Sequence, residues 1–273
     1  MDERPGRPWH VFATYAAAVA GIFATTGIAI ETLHTMYPDV PEAMLMGTLP
    51  GLLAGSLAAS TGLVLTLVLV VKPLTPARLR VLPGWETGPT LAVMVLGLLA
   101  LGQTLESLTI VLGLGESPGM ALIRRLLQGT VGPDLFGAVV VLGLIAPAAE
   151  EIFFRGYMQS RLREHWSPLA SVLATSTAFG VLHVDISPVH VVLAFALGLY
   201  LGFVVESTQS ALPAIVCHIA NNVVYTLQTA LDVTVQGREA NLVAAPVAGA
   251  VFVGCVWWVR REARFAPPPL PPQ

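Results

Sequence analysis

Charged residues are scarce in this chain: Asp, Glu, Lys and Arg make up only 11% of its 273 residues. A soluble domain carries charge on about a quarter of its residues. Hydrophobic residues account for 55% of the chain, and its mean hydropathy is +0.73. This balance excludes an ordinary soluble domain and predicts an integral membrane protein.

The chain also lacks an excess of basic residues, a closely spaced cysteine pair and a common zinc-protease motif. Each lack argues against one class of protein or site. The formal net charge is -3, so the chain offers no basic field for nucleic acid. Its two cysteines, Cys217 and Cys255, lie far apart inside apolar segments, which favours buried thiols over a disulfide or a metal pair. No His-Glu-x-x-His occurs, so the usual helical zinc-protease signature is absent.

Long apolar stretches fill most of the chain. A helix needs about 20 mostly apolar residues to cross a bilayer. We therefore predict an all-α, polytopic transmembrane bundle of about eight spans. The fifth and sixth stretches are short and joined only by residues 185–187, so this hairpin could enter the membrane without crossing it. The eight stretches lie near 10–31, 45–71, 89–114, 135–157, 168–184, 188–205, 211–231 and 242–259.

The basic residues predict an orientation. With a cytoplasmic amino terminus, eleven of the fourteen Lys and Arg fall on the cytoplasmic side, and only Arg124, Arg125 and Arg238 fall outside. The positive-inside rule then favours a multi-pass protein of the inner (plasma) membrane with both termini in the cytoplasm. The first stretch could imitate a signal peptide, but its apolar run is longer than a signal requires, which favours a retained helix. The single lysine among the basic residues indicates a GC-rich bacterial genome.

Ionisable residues interrupt three of the apolar stretches. Each costs roughly 2.5–3.5 kcal/mol inside a membrane, which makes such residues functional-site hypotheses. The three clusters are Glu150-Glu151-Ile-Phe-Phe-Arg155, Phe179-Gly-Val-Leu-His183 and His218-Ile-Ala-Asn221-Asn222, on the fourth, fifth and seventh stretches.

The first cluster contains two carboxylates with different expected roles. Glu151 and Arg155 stand four residues apart on one helix face, the spacing of an ion pair that fixes helix geometry. Glu150 points elsewhere, so it is free to face a cavity and act as a base. The turn near 165–168 is almost equidistant in sequence from Glu150 and His183, about 24 Å along each helix. We therefore expect these two residues to lie side by side at a shallow depth that water can reach.

The third cluster offers hydrogen-bond donors. His218 and Asn222 stand four apart, so both side chains project from one helix face toward one position. Two such donors can form an oxyanion hole. Two polar residues have no clear place in this scheme: His190 is interpreted as a loop or cavity-rim residue, and Glu106 is an intramembrane acid without an evident partner.

The three motifs, in this order and spacing, resemble those of the CAAX protease and bacteriocin-processing (CPBP, or ABI) family. These are glutamate-type intramembrane endopeptidases that include the type II CAAX prenyl endopeptidases. The resemblance covers about 135–225. It implies that Glu150 is the general base on a water, that His183 positions this water, and that His218 and Asn222 stabilise the oxyanion. No cofactor is implied.

The same residues leave alternatives open. A carboxylate and two histidines could form a three-ligand zinc site. The chain could be a non-catalytic bacteriocin-immunity or membrane binding protein, or a proton-coupled transporter, although no inverted repeat is evident. As an endopeptidase, it would act on a membrane-tethered substrate such as a CAAX-like tail, a sorting signal or a peptide precursor, in contact with membrane lipid.

These features predict four regions along the chain. They are the amino-terminal transmembrane helices (1–134), the catalytic core (135–231), a final transmembrane helix (232–265) and a solvated, Pro-rich tail (266–273).

Overall fold

The computed structural model describes residues 7–116, 118–184 and 188–265. Within these ranges the chain is helical and contains no strand. The predicted turn at 185–187 and the Pro-rich tail at 266–273 lie outside the described residues. The long helices are α1 (Pro8–Met36), α2 (Leu49–Val70), α3 (Gly88–Val111), α4 (Gly132–Leu162), α5 (Pro168–Leu182), α6 (Pro188–Thr208), α7 (Leu212–Leu231) and α8 (Arg238–Ala263). Two short helices, Glu42–Leu45 and Pro118–Leu127, lie in the connections before α2 and α4.

The all-helical membrane bundle expected from the sequence is confirmed. Six of these helices are long and apolar enough to cross a membrane within the described part of the chain, namely α1 to α4, α6 and α8. Helix α5 has only 15 residues, and α7 carries the polar third cluster. Whether α5 and α7 also cross, as a count of about eight requires, stays a prediction.

Local sequence explains where several helices begin. Thr48 accepts a hydrogen bond from the Gly51 backbone N–H at 3.1 Å, and Ser167 accepts one from the Ala170 N–H at 3.3 Å. A proline follows in the first turn of both α2 and α5, where its missing N–H costs nothing. Helix α7 ends at Leu231, because the next residue, Asp232, has a left-handed backbone (φ 54°) that stops the helix.

The helices pack as neighbouring pairs around α4. Helix α1 packs on α2, α3 on α8, and α5 on α6, while α7 lies against α3 and α4. At the first of these crossings, a Cβ added to Gly62 would lie 2.7 Å from the Ile22 backbone nitrogen. Only glycine permits this approach, in the manner of small-residue contacts in membrane bundles.

Helix α4 is not a uniform α-helix. Its α-helical segment Ala146–Glu151 is flanked by π-helical segments at Val139–Ile145 and Ile152–Gln159. Single π-helical turns are rare and often occur at functional sites. Pro147 lies in the first turn of the α-helical segment and cannot donate a backbone hydrogen bond. The carboxylates of the first cluster therefore stand where the helix changes its winding.

Candidate active site

Glu151 is a buried carboxylate that joins two helices. Its side chain is fully buried, and its Oε1 accepts a hydrogen bond from Arg155 Nη1 at 2.9 Å. The same oxygen lies 2.9 Å from Nδ1 of His218 on α7. Sequence spacing indicated the contact with Arg155 but gave no sign of the one with His218, because a single helix period says nothing about the neighbouring helix.

Arg155 extends this contact to a third helix. Its Nη2 donates to the Gly198 carbonyl on α6 at 3.1 Å, and its guanidinium carbon lies 4.7 Å from the centre of the Phe179 ring. A Cβ at Gly198 would lie 3.1 Å from Arg155 Nη2. Arg155 and Glu151 thus form a buried ion pair that joins α4 to α6 and α7.

Glu150 lies beside this pair but in a different environment. Its side chain is 23% exposed, and its Oε2 lies 3.9 Å from His218 Nε2. The two ring nitrogens of His218 therefore face the two adjacent carboxylates, Nδ1 toward Glu151 and Nε2 toward Glu150. Because Glu151 already accepts from Arg155, a proton on Nδ1 of His218 suits this contact best. Glu150 is the carboxylate that retains access to a water or a substrate.

His183 is the first residue after α5. Its ring Nδ1 lies 2.9 Å from the Phe179 carbonyl oxygen, which can only accept, so Nδ1 carries the proton and Nε2 is left as an acceptor. Phe179 joins the two histidines: its ring centre lies 4.6 Å from that of His183 and 5.9 Å from that of His218. Phe179 therefore packs against both histidines of the site.

Asn222 is anchored to α4. Its Nδ2 donates to the Leu142 carbonyl at 3.1 Å, and its Oδ1 accepts from Asn221 Nδ2 at 3.3 Å. A side-chain amide has two hydrogens on its nitrogen. One fixes Asn222 against the π-helical segment of α4, and the other remains for a second acceptor.

His190 and Glu106, two polar residues outside the three motifs, each contact a neighbouring side chain. The His190 ring, in the first turn of α6, lies 5.2 Å from the His183 ring, so it borders the same region. Glu106, which had no partner in the sequence, lies 3.6 Å from Arg124 on the short helix Pro118–Leu127. Arg124 also contacts Glu116 at 2.8 Å. The contacts of Arg124 with Glu106 and Glu116 link α3 to the connection before α4.

A zinc site is the alternative that the carboxylate and the two histidines left open. Over the described ranges, no three His, Cys, Asp or Glu side chains are arranged to hold a metal ion. His218 Nδ1 is engaged by Glu151, and His183 Nδ1 by a backbone carbonyl. Metal-bound histidines commonly have the same second contact, so the absence of a cofactor stays a prediction.

The geometry unites residues from all three motifs. The structure places Glu150, Glu151 and Arg155 on α4, His183 at the end of α5, and His218 and Asn222 on α7. Direct contacts connect the two carboxylates to His218, and the Phe179 ring lies against both histidines. Asn222 instead contacts α4 at Leu142. A partly exposed carboxylate and two imidazoles linked in this way can move protons, and Asn222, one turn along α7 from His218, offers an amide donor for an oxyanion.

Comparison with known proteins supports the motif-based resemblance. Residues 132–224 match the family model described as type II CAAX prenyl endopeptidase Rce1-like. This confirms the resemblance to the CAAX protease family over the segment that contains the site. No curated protein and no solved structure matches the chain significantly.

Proposed function

We propose that this chain, whose central segment resembles the type II CAAX prenyl endopeptidases, is an intramembrane endopeptidase of the glutamate type. The observation that carries the proposal is the pairing of His218 with two unlike carboxylates. Buried Glu151 holds one ring nitrogen, and partly exposed Glu150 faces the other. Glu151 is therefore suited to positioning the His218 ring, and Glu150 to reacting with a water.

In the proposed reaction, Glu150 removes a proton from a water as its oxygen attacks the scissile carbonyl carbon. His183 directs this water through Nε2, which can accept its second hydrogen. The tetrahedral intermediate then collapses, the C–N bond breaks, and Glu150 returns the proton to the leaving amine. This cycle balances without a covalent intermediate, and the products are a carboxylic acid and an amine.

The oxyanion is assigned to His218 and Asn222. If His218 Nδ1 donates to Glu151, Nε2 can donate to the oxyanion only when the ring is an imidazolium. Asn222 would contribute the amide hydrogen that is not bound to Leu142. Removing a single oxyanion donor typically lowers kcat by about 10²–10³-fold.

Glu151 and Arg155 are positioning residues in this scheme. They do not face the reacting water but fix His218 between its two carboxylates, as second partners of catalytic histidines generally do. The Arg155 contact with the Gly198 carbonyl holds the pair against α6.

We further propose a membrane-tethered peptide or protein as substrate, with a CAAX-like tail, a sorting signal or a peptide precursor as the candidate classes. A site on membrane helices gives access to chains that are already held at the bilayer. We also propose the inner membrane and cytoplasmic termini, because the predicted cytoplasmic side holds most of the basic residues.

Terminal-peptide mass spectrometry of membranes tests this function. Cells would carry the wild type, a Glu150→Ala, His183→Ala double variant, or Glu31→Gln as a matched control, since Glu31 is an exposed carboxylate on α1. New protein termini should appear with the wild type and the control, but not with the double variant. Identical profiles at equal levels of folded protein would contradict catalysis and favour a binding or immunity role.

A further inference from the structure

A second site-like feature lies away from the candidate active site. A groove of about 740 Å³ opens between the start of α1, the end of α2 and the end of α4. Its floor includes Tyr157, which is only 6% exposed and donates to Thr14 Oγ1 on α1 at 3.0 Å. Fully buried Phe153 and Phe154 lie deeper on the same helix. These two residues lie between Tyr157 and Glu150 along α4.

The side chains around the groove carry a net positive charge. Four Lys and Arg side chains line it, and one carboxylate, Glu164, forms an ion pair with one of them. Subtracting one from four leaves a net charge of +3 with His10 neutral. The first turn of α1 adds the positive end of a 29-residue helix. This rim is complementary to a phosphate group, and its basic residues are Arg7, Lys72, Arg78 and Arg161.

The walls below this rim are apolar. Val11 and Ala17 of α1 face Val70 and Val71 at the end of α2. Val70 is 53% exposed, and it continues the exposed apolar surface of α2 formed by Val68 and Leu69. The groove therefore joins a cationic rim to a surface suited to hydrocarbon. A ligand that satisfies both parts must be an anionic amphiphile rather than a free anion.

We propose that the groove binds an anionic phospholipid from the leaflet at this end of the bundle. The headgroup phosphate contacts Arg7, Lys72 and Arg78, and an acyl chain follows Val70 and Val71. Basic pockets between transmembrane helices bind acidic headgroups by this combination of charge and apolar contact. The bound lipid joins α1, α2 and α4, the helix that carries Glu150. The proposal does not depend on peptidase activity.

Native mass spectrometry of the full chain in detergent tests the site. Phosphatidylglycerol is titrated against phosphatidylcholine, glycerol phosphate and inorganic phosphate. The groove variant is Arg7→Gln, Lys72→Gln, because both side chains are exposed. The matched control, Arg261→Gln, Arg264→Gln, removes the same charge at the end of α8, outside the groove.

The wild type and the control should bind phosphatidylglycerol alike. The groove variant should bind it about 25-fold more weakly, since each of its two lost basic residues contributes about fivefold near an acidic lipid. Lys72→Arg should retain binding. Melting in phosphatidylcholine serves as the folding check, and Lys72→Glu replaces the double variant if that variant melts early. Equal binding of phosphatidylcholine, equal losses in the control, or equal binding of inorganic phosphate would each overturn the proposal.

Discussion

Replacing Glu151 with Gln should destabilise the protein far more than replacing Glu150 with Gln. Glu151 is fully buried and its Oε1 makes two contacts of 2.9 Å, one with Arg155 and one with His218. The substitution leaves the buried Arg155 guanidinium without a compensating charge. Removing one partner of a buried ion pair costs about 3–5 kcal/mol. Glu150 is partly exposed, and its contact with His218 is longer, at 3.9 Å.

Thermal unfolding of the two purified variants in one detergent measures this difference. For a chain of this size, 1 kcal/mol shifts Tm by roughly 2–4 °C. Glu151→Gln should therefore melt about 6–20 °C below the wild type by the same conversion. Glu150→Gln should melt within about 3 °C, because its carboxylate loses no short contact. Equal melting temperatures for the two variants would refute the distinction between a positioning and a reacting carboxylate.

Three further predictions test a packing contact, an ion pair and the metal alternative. Gly198→Ala places a Cβ 3.1 Å from Arg155 Nη2, so we expect about 1–3 kcal/mol of destabilisation by overpacking, and unchanged melting would contradict that packing. Arg124→Gln should cost less than about 1 kcal/mol in chemical unfolding, because the ion pair with Glu106 is about one-third exposed; a larger loss would indicate a tighter pair. Activity should persist after dialysis against a strong chelator, whereas loss of activity that zinc restores would favour the metal alternative.

Hydropathy predicted much of this fold. Each of the eight apolar stretches overlaps a helix in the described part of the chain. Six of these helices are long and apolar enough to cross a membrane, because a span demands a long apolar segment with internal hydrogen bonds. The π-helical segments around Glu150 were not predicted. Sequence geometry at 100° per residue assumes uniform winding, and nothing in the residue pattern signals a local change to five-residue hydrogen bonds.

The site was predictable in its composition but not in its connections. Motif spacing selected Glu150, His183, His218 and Asn222. The structure links the first three through the Glu150–His218 contact and the Phe179 ring, whereas Asn222 contacts Leu142 on α4, and the catalytic roles of all four stay predictions. The contact of Glu151 with His218 depends on how α4 and α7 pack, which a single-helix argument does not reach. The partner of Glu106 is not predictable for a related reason: Arg124 lies on the short helix Pro118–Leu127, and its contact with α3 depends on how that helix packs.

Cleavage of a peptide by the purified protein in proteoliposomes tests the central claim most directly. The peptide would span a cut site identified by terminal mass spectrometry, and the rates of wild type, Glu150→Gln and Glu31→Gln would be compared. Loss of a general base lowers kcat by about 10²–10⁴-fold, so Glu150→Gln should fall by that factor while Glu31→Gln stays within about twofold. If folded Glu150→Gln cleaves the peptide at the wild-type rate, Glu150 is not the base and the proposed mechanism is wrong.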